Sequence, residues 1–238
     1  MELIKLNERN YMFTQNIEQW GGLPLNLGLI KAEYRNYLID TGLGSNNSIE
    51  IIEYLKDSEK PLVVINSHAH WDHVWGNFDF KECLIVAHEE CRKLLEDDWD
   101  SDFETVTTKF EGIADGEVKK CLPNVTFKHE LTFEDDQILL FHTPGHTSNC
   151  ISVYDKVTKV LYVGDAIGDQ GITNLQYIPY INTNKETMRE TIQLWKQMDI
   201  DQIVVGHNQI LSHDVIGIME TVLDDAWEDQ LKNATTEE

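Results

Sequence analysis

Basic residues are scarce in this sequence. Nineteen Lys and Arg stand against 42 Asp and Glu among 238 residues, for a formal net charge of −23. A surface of that sign repels phosphate backbones, and no Lys/Arg stripe offsets it locally, so no nucleic-acid partner is expected. Long apolar runs are lacking too. No segment approaches the roughly 18–20 apolar residues that span a bilayer, so no membrane partner is expected. The opening residues, MELIKLNERNYMFTQ, have no basic stretch followed by an apolar one, which argues against a secretory signal and for a cytoplasmic protein. Cys83, Cys91, Cys121 and Cys150 show no C-x-x-C spacing and read as free, mostly buried thiols. Pro and Gly are too scattered to mark a linker, so residues 1–238 are expected to form one domain. The acidic runs EDDWDSDFE (96–104) and FEDDQ (133–137), like the acidic tail, read as solvated faces.

What is present is an α/β pattern. EYRNYLIDTG (33–42) reads as a strand ending in a turn. NNSIEIIEYLKD (46–57) follows as a helix, with Asn and Ser as cap candidates and Ile49, Ile52 and Leu55 at helical spacing. PLVVIN (61–66) and CLIVAH (83–88) are short apolar runs suited to buried strands, the second leading into a helix at EECRKLLED (89–97). Residues 98–120 read as irregular helix and loop. In the second half, strand signals recur at ILLFH (138–142), CISVYD (150–155), KVLYVGD (159–165) and QIVVGH (202–207). Helical signals cover about 184–198 and 212–232. Strands in the middle with amphipathic helices outside pack as layers.

The stretch NSHAHWDHVWGN (66–77) places His68, His70, Asp72 and His73 just past the apolar run PLVVI. A loop there can bend all four side chains toward one point. Four more candidates also follow strand ends: Asp40 in LIDTG, His146 in TPGHTSN, Asp165 in VGD and His207 in VVGH. Imidazole nitrogen and carboxylate oxygen are natural ligands of zinc and similar divalent ions. One histidine after a strand is usually structural. Five histidines and two aspartates so placed, with Asp40 beside them, exceed what packing explains, and strand C-termini are where layered α/β folds build their sites.

HAHWDH resembles the H-x-H-x-D-H signature of the metallo-β-lactamase-fold superfamily, and PGHT, GD and GH follow in the order that family has. The resemblance runs from LIDTG to the last of these histidines. It implies an α/β fold of the αββα sandwich type, two packed β-sheets with helices on the outer faces. It also implies two metal ions, zinc first, with iron or manganese as other occupants. By the resemblance one ion takes His68, His70 and His146, the other takes Asp72, His73 and His207, Asp165 bridges them, and Asp40 supports the ligands by hydrogen bonds. A hydroxide shared by the two ions would attack the substrate, with Asp72 also orienting it or shuttling its proton.

The same fold serves many reactions. The β-lactamase classes that resemble it most carry Cys at the place of Asp165 or lack the bridging carboxylate. Glyoxalase II-like thioesterases and acyl-homoserine lactonases share the full ligand set. Glyoxalase II commonly holds glutathione with a basic C-terminal region, and here only Lys232 and no Arg follows His207. The expectation is a hydrolase of a small ester, thioester or lactone. The alternatives are an oxidoreductase resembling persulfide dioxygenases, with one iron on two histidines and the aspartate, and a β-lactam or phosphodiester hydrolase. Trp71, Trp75, Tyr177 and Tyr180 are candidate substrate contacts, though aromatic rings in such loops also serve simply to pack them. His88, His129, His142 and His213 are expected to be surface or hydrogen-bonded structural residues.

Overall fold

The computed structural model describes residues 1–168, 178–179, 184–207, 210–212 and 214–234. Its first sheet holds β1 (Glu2–Lys5), β2 (Asn10–Ile17), β3 (Leu23–Lys31), β4 (Asn36–Ile39), β5 (Leu62–Ile65), β6 (Leu84–His88) and β7 (Val125–Phe127) in sequence order. β1 to β4 pair antiparallel, and β4 to β7 pair parallel. The second sheet is built from β8 (Glu130–Phe133), β9 (Ile138–His142), β10 (Ile151–Asp155) and β11 (Val160–Tyr162). The short β12 (Ile167–Gly168) and β13 (Ile178–Pro179) form a separate ribbon. β14 (Gln202–Val204) and β15 (Leu211–Ser212) complete the second sheet in the order β15-β14-β11-β10-β9-β8.

Alternation along the strands decides the layering. Tyr37, Ile39, Val63, Ile65, Val86, Ile138, Leu140, Val153 and Tyr162 face inward and form one cluster between the sheets. Their neighbours Leu38, Val64, Ile85 and Ala87 face outward, against helices α1 (Ser45–Leu55), α3 (Glu89–Asp97) and α4 (Trp99–Lys109). On the far side, Phe141, Tyr154, Leu161 and Ile203 pack under α5 (Lys185–Lys196) and α6 (Asp214–Ala234). The single turn Trp71–Val74 is α2. This is the expected αββα sandwich.

α1 differs from the expected face. Ile51 is fully buried, whereas Ile49 and Ile52 are 59% and 45% exposed. Asn47 and Ser48 share the inward face with Ile51, because polar bonds fix the helix there: Asn47 Oδ1 accepts the Leu43 N–H at 2.7 Å, and the Ser48 hydroxyl donates to the Gly76 carbonyl at 3.1 Å. Asn and Ser therefore anchor the helix to the loops around it, and Gly44, with no side chain, caps it.

Three strands, β9, β11 and β14, run in the same direction, since β9 and β11 both lie antiparallel to β10 and β14 lies parallel to β11. β4 and β5 likewise run together. The C-termini of all five carry the candidate ligands. The sheets are stitched at this edge: the Ile151 N–H donates to Ser67 O at 2.9 Å, the Asn26 N–H to Gly206 O at 2.7 Å, and Leu25 bridges His207. Among the described residues no helix is long and apolar enough to cross a membrane.

Candidate metal centre

The loop after β5 is pinned before it delivers any ligand. Asn66 and Asn77 exchange side-chain hydrogen bonds at 3.0 and 2.9 Å, and the Thr41 hydroxyl donates to Asn77 Oδ1 at 3.0 Å. α2 then turns Asp72 and His73 inward, where both are buried. Two nests of ligand atoms result, His68–His70–His146–Asp165 and Asp72–His73–Asp165–His207, with the donors of each within 4.8 Å of one another. All seven residues named from the sequence come together, and Asp165 belongs to both nests.

The distances suit a cation better than direct bonding. His146 Nε2 lies 3.0 Å from His70 Nδ1, a separation at which two nitrogen lone pairs need a proton or a metal between them. Asp165 Oδ2 sits 3.8 Å from both His68 Nε2 and His146 Nε2, and Asp165 Oδ1 sits 3.2 Å from His73 Nε2. His207 Nε2 is 3.1 Å from Asp72 Oδ2 and 3.5 Å from Asp165 Oδ2. His68 Nε2, His73 Nε2 and Asp165 Oδ1 are buried yet make no hydrogen bond, an arrangement that costs free energy unless something else binds them. A Cβ at Gly206 would lie 2.1 Å from Asp165 Oδ1, so only glycine leaves the carboxylate its place. A divalent cation fits this donor set.

Outer partners aim the rings. Asp40 accepts from the Ser67 N–H and hydroxyl, both at 2.7 Å, and pairs at 2.8 Å with His73 Nδ1, which leaves Nε2 pointing at the nest. It does so from a left-handed backbone, φ 65°, that few residues besides Gly, Asn and Asp adopt readily. His207 Nδ1 is fixed by the Pro24 carbonyl at 2.7 Å, and His68 Nδ1 by the Ser67 hydroxyl at 3.0 Å.

Electrostatics divides the two nests. Burial pushes His68, His70 and His146 down, the last to about 3, so these rings are neutral, the form in which an imidazole can bind a metal. Burial also opposes charge on His73 and His207, but Asp165 and Asp72 overcome it. His73 is raised well above the usual imidazole range and His207 to about 10. Burial works against ionising Asp72 and Asp165, yet His73 and His207 hold both carboxyls below their usual range.

Of the aromatic candidates, Trp71 is half-buried beside the site, its ring 5.1 Å from that of Trp20. Trp75 does not face the cleft. It is 2% exposed and packs against Trp71 and Phe103, because residue 75 lies one helical turn beneath Trp71. Tyr177, Tyr180 and His213 lie outside the described residues. His88 and His142 stack at 4.1 Å and bond the Lys128 and Ser148 carbonyls, which makes them structural, as expected. Several residues had no sequence assignment. Ser67, adjacent to His68, could have been found by position alone. Asn149, three residues after His146, holds the Ala69 N–H at 2.8 Å. Trp20, whose ring lies 6.0 Å from that of His207, comes from a turn about fifty residues before the motif and carries no local signal.

An αββα sandwich with imidazole and carboxylate nests at one sheet edge defines a metal-dependent hydrolase. A family model described as the metallo-beta-lactamase superfamily matches residues 20–207, and the chain belongs to that superfamily. It is 28% identical over 208 residues to the acyl-coenzyme A thioesterase MBLAC2 of Homo sapiens, spanning 78% of this chain and 74% of that protein. It is 27% identical over 186 residues to the probable metallo-hydrolase MJ0888 of Methanocaldococcus jannaschii, spanning 74% and 84%. Among solved structures, the DIM-1 metallo-beta-lactamase superposes with a TM-score of 0.74 at 16% identity, covering 94% of this chain and 97% of that one, a likeness of fold.

Proposed function

We propose that the protein is a two-metal hydrolase of a small thioester, ester or lactone, with zinc as the favoured ion. The observation that carries this reading is Asp165, which belongs to both nests at once. His68, His70 and His146 would hold one ion, and Asp72, His73 and His207 the other. A single iron on two histidines and one aspartate would leave a nest of donors unused. When bound, two such ions supply Lewis acidity toward the scissile carbonyl and a water ionisable near neutral pH.

The chain's own groups do the rest. Asp72, ionised because His73 and His207 face it, can orient the attacking water and carry its proton toward the leaving group through its carboxylate. Asp40 and the Pro24 carbonyl keep His73 and His207 in register through the reaction. Trp20 and Trp71 offer an apolar wall on the His207 side that can order an acyl group and keep bulk water out. The thioesterase activity named for the MBLAC2 relatives supports a thioester. A coenzyme A thioester carries several phosphates, however, and the −23 charge argues for a smaller, less anionic substrate. The test is a panel of thioesters, esters, lactones and phosphodiesters assayed on zinc-loaded protein. Turnover of the first three classes, abolished by His68→Ala and by Asp165→Ala, is expected. Activity surviving either substitution, or confined to phosphodiesters, overturns the proposal.

A further inference from the structure

Helix α5 supplies no ligand, yet its buried face closes on the three residues that lead into His146. Met188, Thr191, Ile192 and Trp195 are its buried positions. The Thr191 hydroxyl donates to the Pro144 carbonyl at 2.7 Å. A Cβ on Gly145 would lie 2.6 Å from Met188 Cε, so the thioether packs directly on the backbone that precedes the ligand. Trp195 Nε1 donates to the Ser152 hydroxyl at 3.2 Å, and that hydroxyl pairs with Thr143 Oγ1 at 2.9 Å. Residues 143, 144 and 145 are thus each held, directly or through Ser152, by one helix. The helix is itself anchored away from the site. Asn184 caps it by accepting the Thr187 N–H at 2.8 Å, and Lys185 and Arg189 each pair with Asp224 of α6 at 2.9 Å.

The Thr191 bond is an unusual use of a helical threonine, whose hydroxyl ordinarily turns back to a carbonyl three or four residues earlier. Thr191 is 3% exposed and spends its one proton on Pro144 instead. Proline has a locked φ and glycine a free one, so Gly145 is the loose joint next to His146. Thr191 holds the residue before the joint, and Met188 covers the joint itself. The second nest draws its outer partners from elsewhere, Asp40 after β4 and the Pro24 carbonyl in β3. Resting on the two-metal hydrolase reading, we propose that Thr191 is a positioning residue. Through the Pro144 carbonyl it sets where His146 stands, and it thereby tunes the first nest apart from the second.

Thr191→Val removes the hydroxyl at nearly constant shape, Thr191→Ala removes it without setting a methyl against the carbonyl, and Thr191→Ser keeps it. Ile192→Val trims the neighbouring core position and controls for lost packing. Each variant is titrated with zinc against a competing chelator, and the imidazole nitrogen resonances assign each ion to its nest. The Val and Ala variants should lose about tenfold in affinity at the His68–His70–His146 nest and nothing at the Asp72–His73–His207 nest. The Ser variant should bind as the parent does, and so should Ile192→Val. Parental affinity in the Val and Ala variants, an equal loss at both nests, the same loss in Ile192→Val, or a Ser variant as weak as Val overturns the inference, and turnover by the parent then leaves the hydrolase intact. A loss confined to the first nest and restored by Ser, in a protein that turns over no thioester, ester or lactone, instead sinks the hydrolase reading and keeps the role of Thr191.

Discussion

Replacing Asp40 separates the support of the site from the ligands themselves. This carboxylate touches no predicted ion, yet it accepts three buried hydrogen bonds, from the Ser67 N–H, the Ser67 hydroxyl and His73 Nδ1. Asp40→Ala orphans all three donors, at about 1–3 kcal/mol each, and gives up the short polar side chain that makes this left-handed backbone tolerable for Asp. Even the lower values give a loss of about 3 kcal/mol, a large part of a typical 5–15 kcal/mol stability. Asp40→Asn is milder, because Asn tolerates φ 65° and keeps one acceptor oxygen. It removes the charge facing His73, and outer partners of this kind are worth about 10–100-fold in metal affinity. Urea denaturation of the metal-free variants, followed by competitive zinc titration, reads both effects. The Ala variant should be marginally folded, and the Asn variant folded but weakened most at the Asp72–His73–His207 nest, with a smaller effect at His68 through Ser67. An Asn variant that binds both ions as the parent does, or an Ala variant of unchanged stability, refutes the reasoning.

Gly206→Ala tests the fit of the cradle: its methyl would collide with Asp165 Oδ1 and His73 Cε1, displacing the shared ligand. Misplacement of about an ångström at a reacting centre costs on the order of a hundredfold in rate, measurable with the panel's best substrate. Zinc uptake should depend on pH unequally at the two nests. His73 and His207 hold protons in the metal-free protein, so raising the pH removes the competitor, and affinity at their nest should climb by up to about a hundredfold per pH unit below the His207 value. His68, His70 and His146 are already neutral and should show almost no slope between about pH 6 and pH 8 in competitive titrations. The same raised values stabilise the metal-free fold. That contribution is complete below the unfolded imidazole value of about 6.5 and is lost as pH rises through about 10, visible as a falling denaturation midpoint.

The ligand set was legible because each of its members follows a strand that announces itself by composition. LVVI at β5 and QIV at β14 are short, β-branched and buried, and the chemistry sits just beyond them. The helix Glu89–Asp97 coincides with its sequence pattern for the same reason, with Cys91 and Leu95 both inward. The N-terminal strands had no assignment. β3 contains Pro24 and Gly28, which read as breakers, yet Gly28 is there because the Tyr162 ring occupies the space of a side chain. α1 was rotated because tertiary hydrogen bonds from Asn47 and Ser48 outweigh the burial of Ile49 and Ile52. The surroundings of the site, Trp20, Asn149 and Thr191, come from three separate stretches. Their convergence depends on how the sheets are stitched, which no local pattern encodes.

Zinc titration of metal-free protein by calorimetry, with elemental analysis at saturation, tests the central claim most directly. Two ions per chain are predicted, falling below two in Asp165→Ala, with hydrolysis appearing only as the second ion fills. A single ion at saturation, or one tightly held iron with oxygen consumed during turnover, contradicts it.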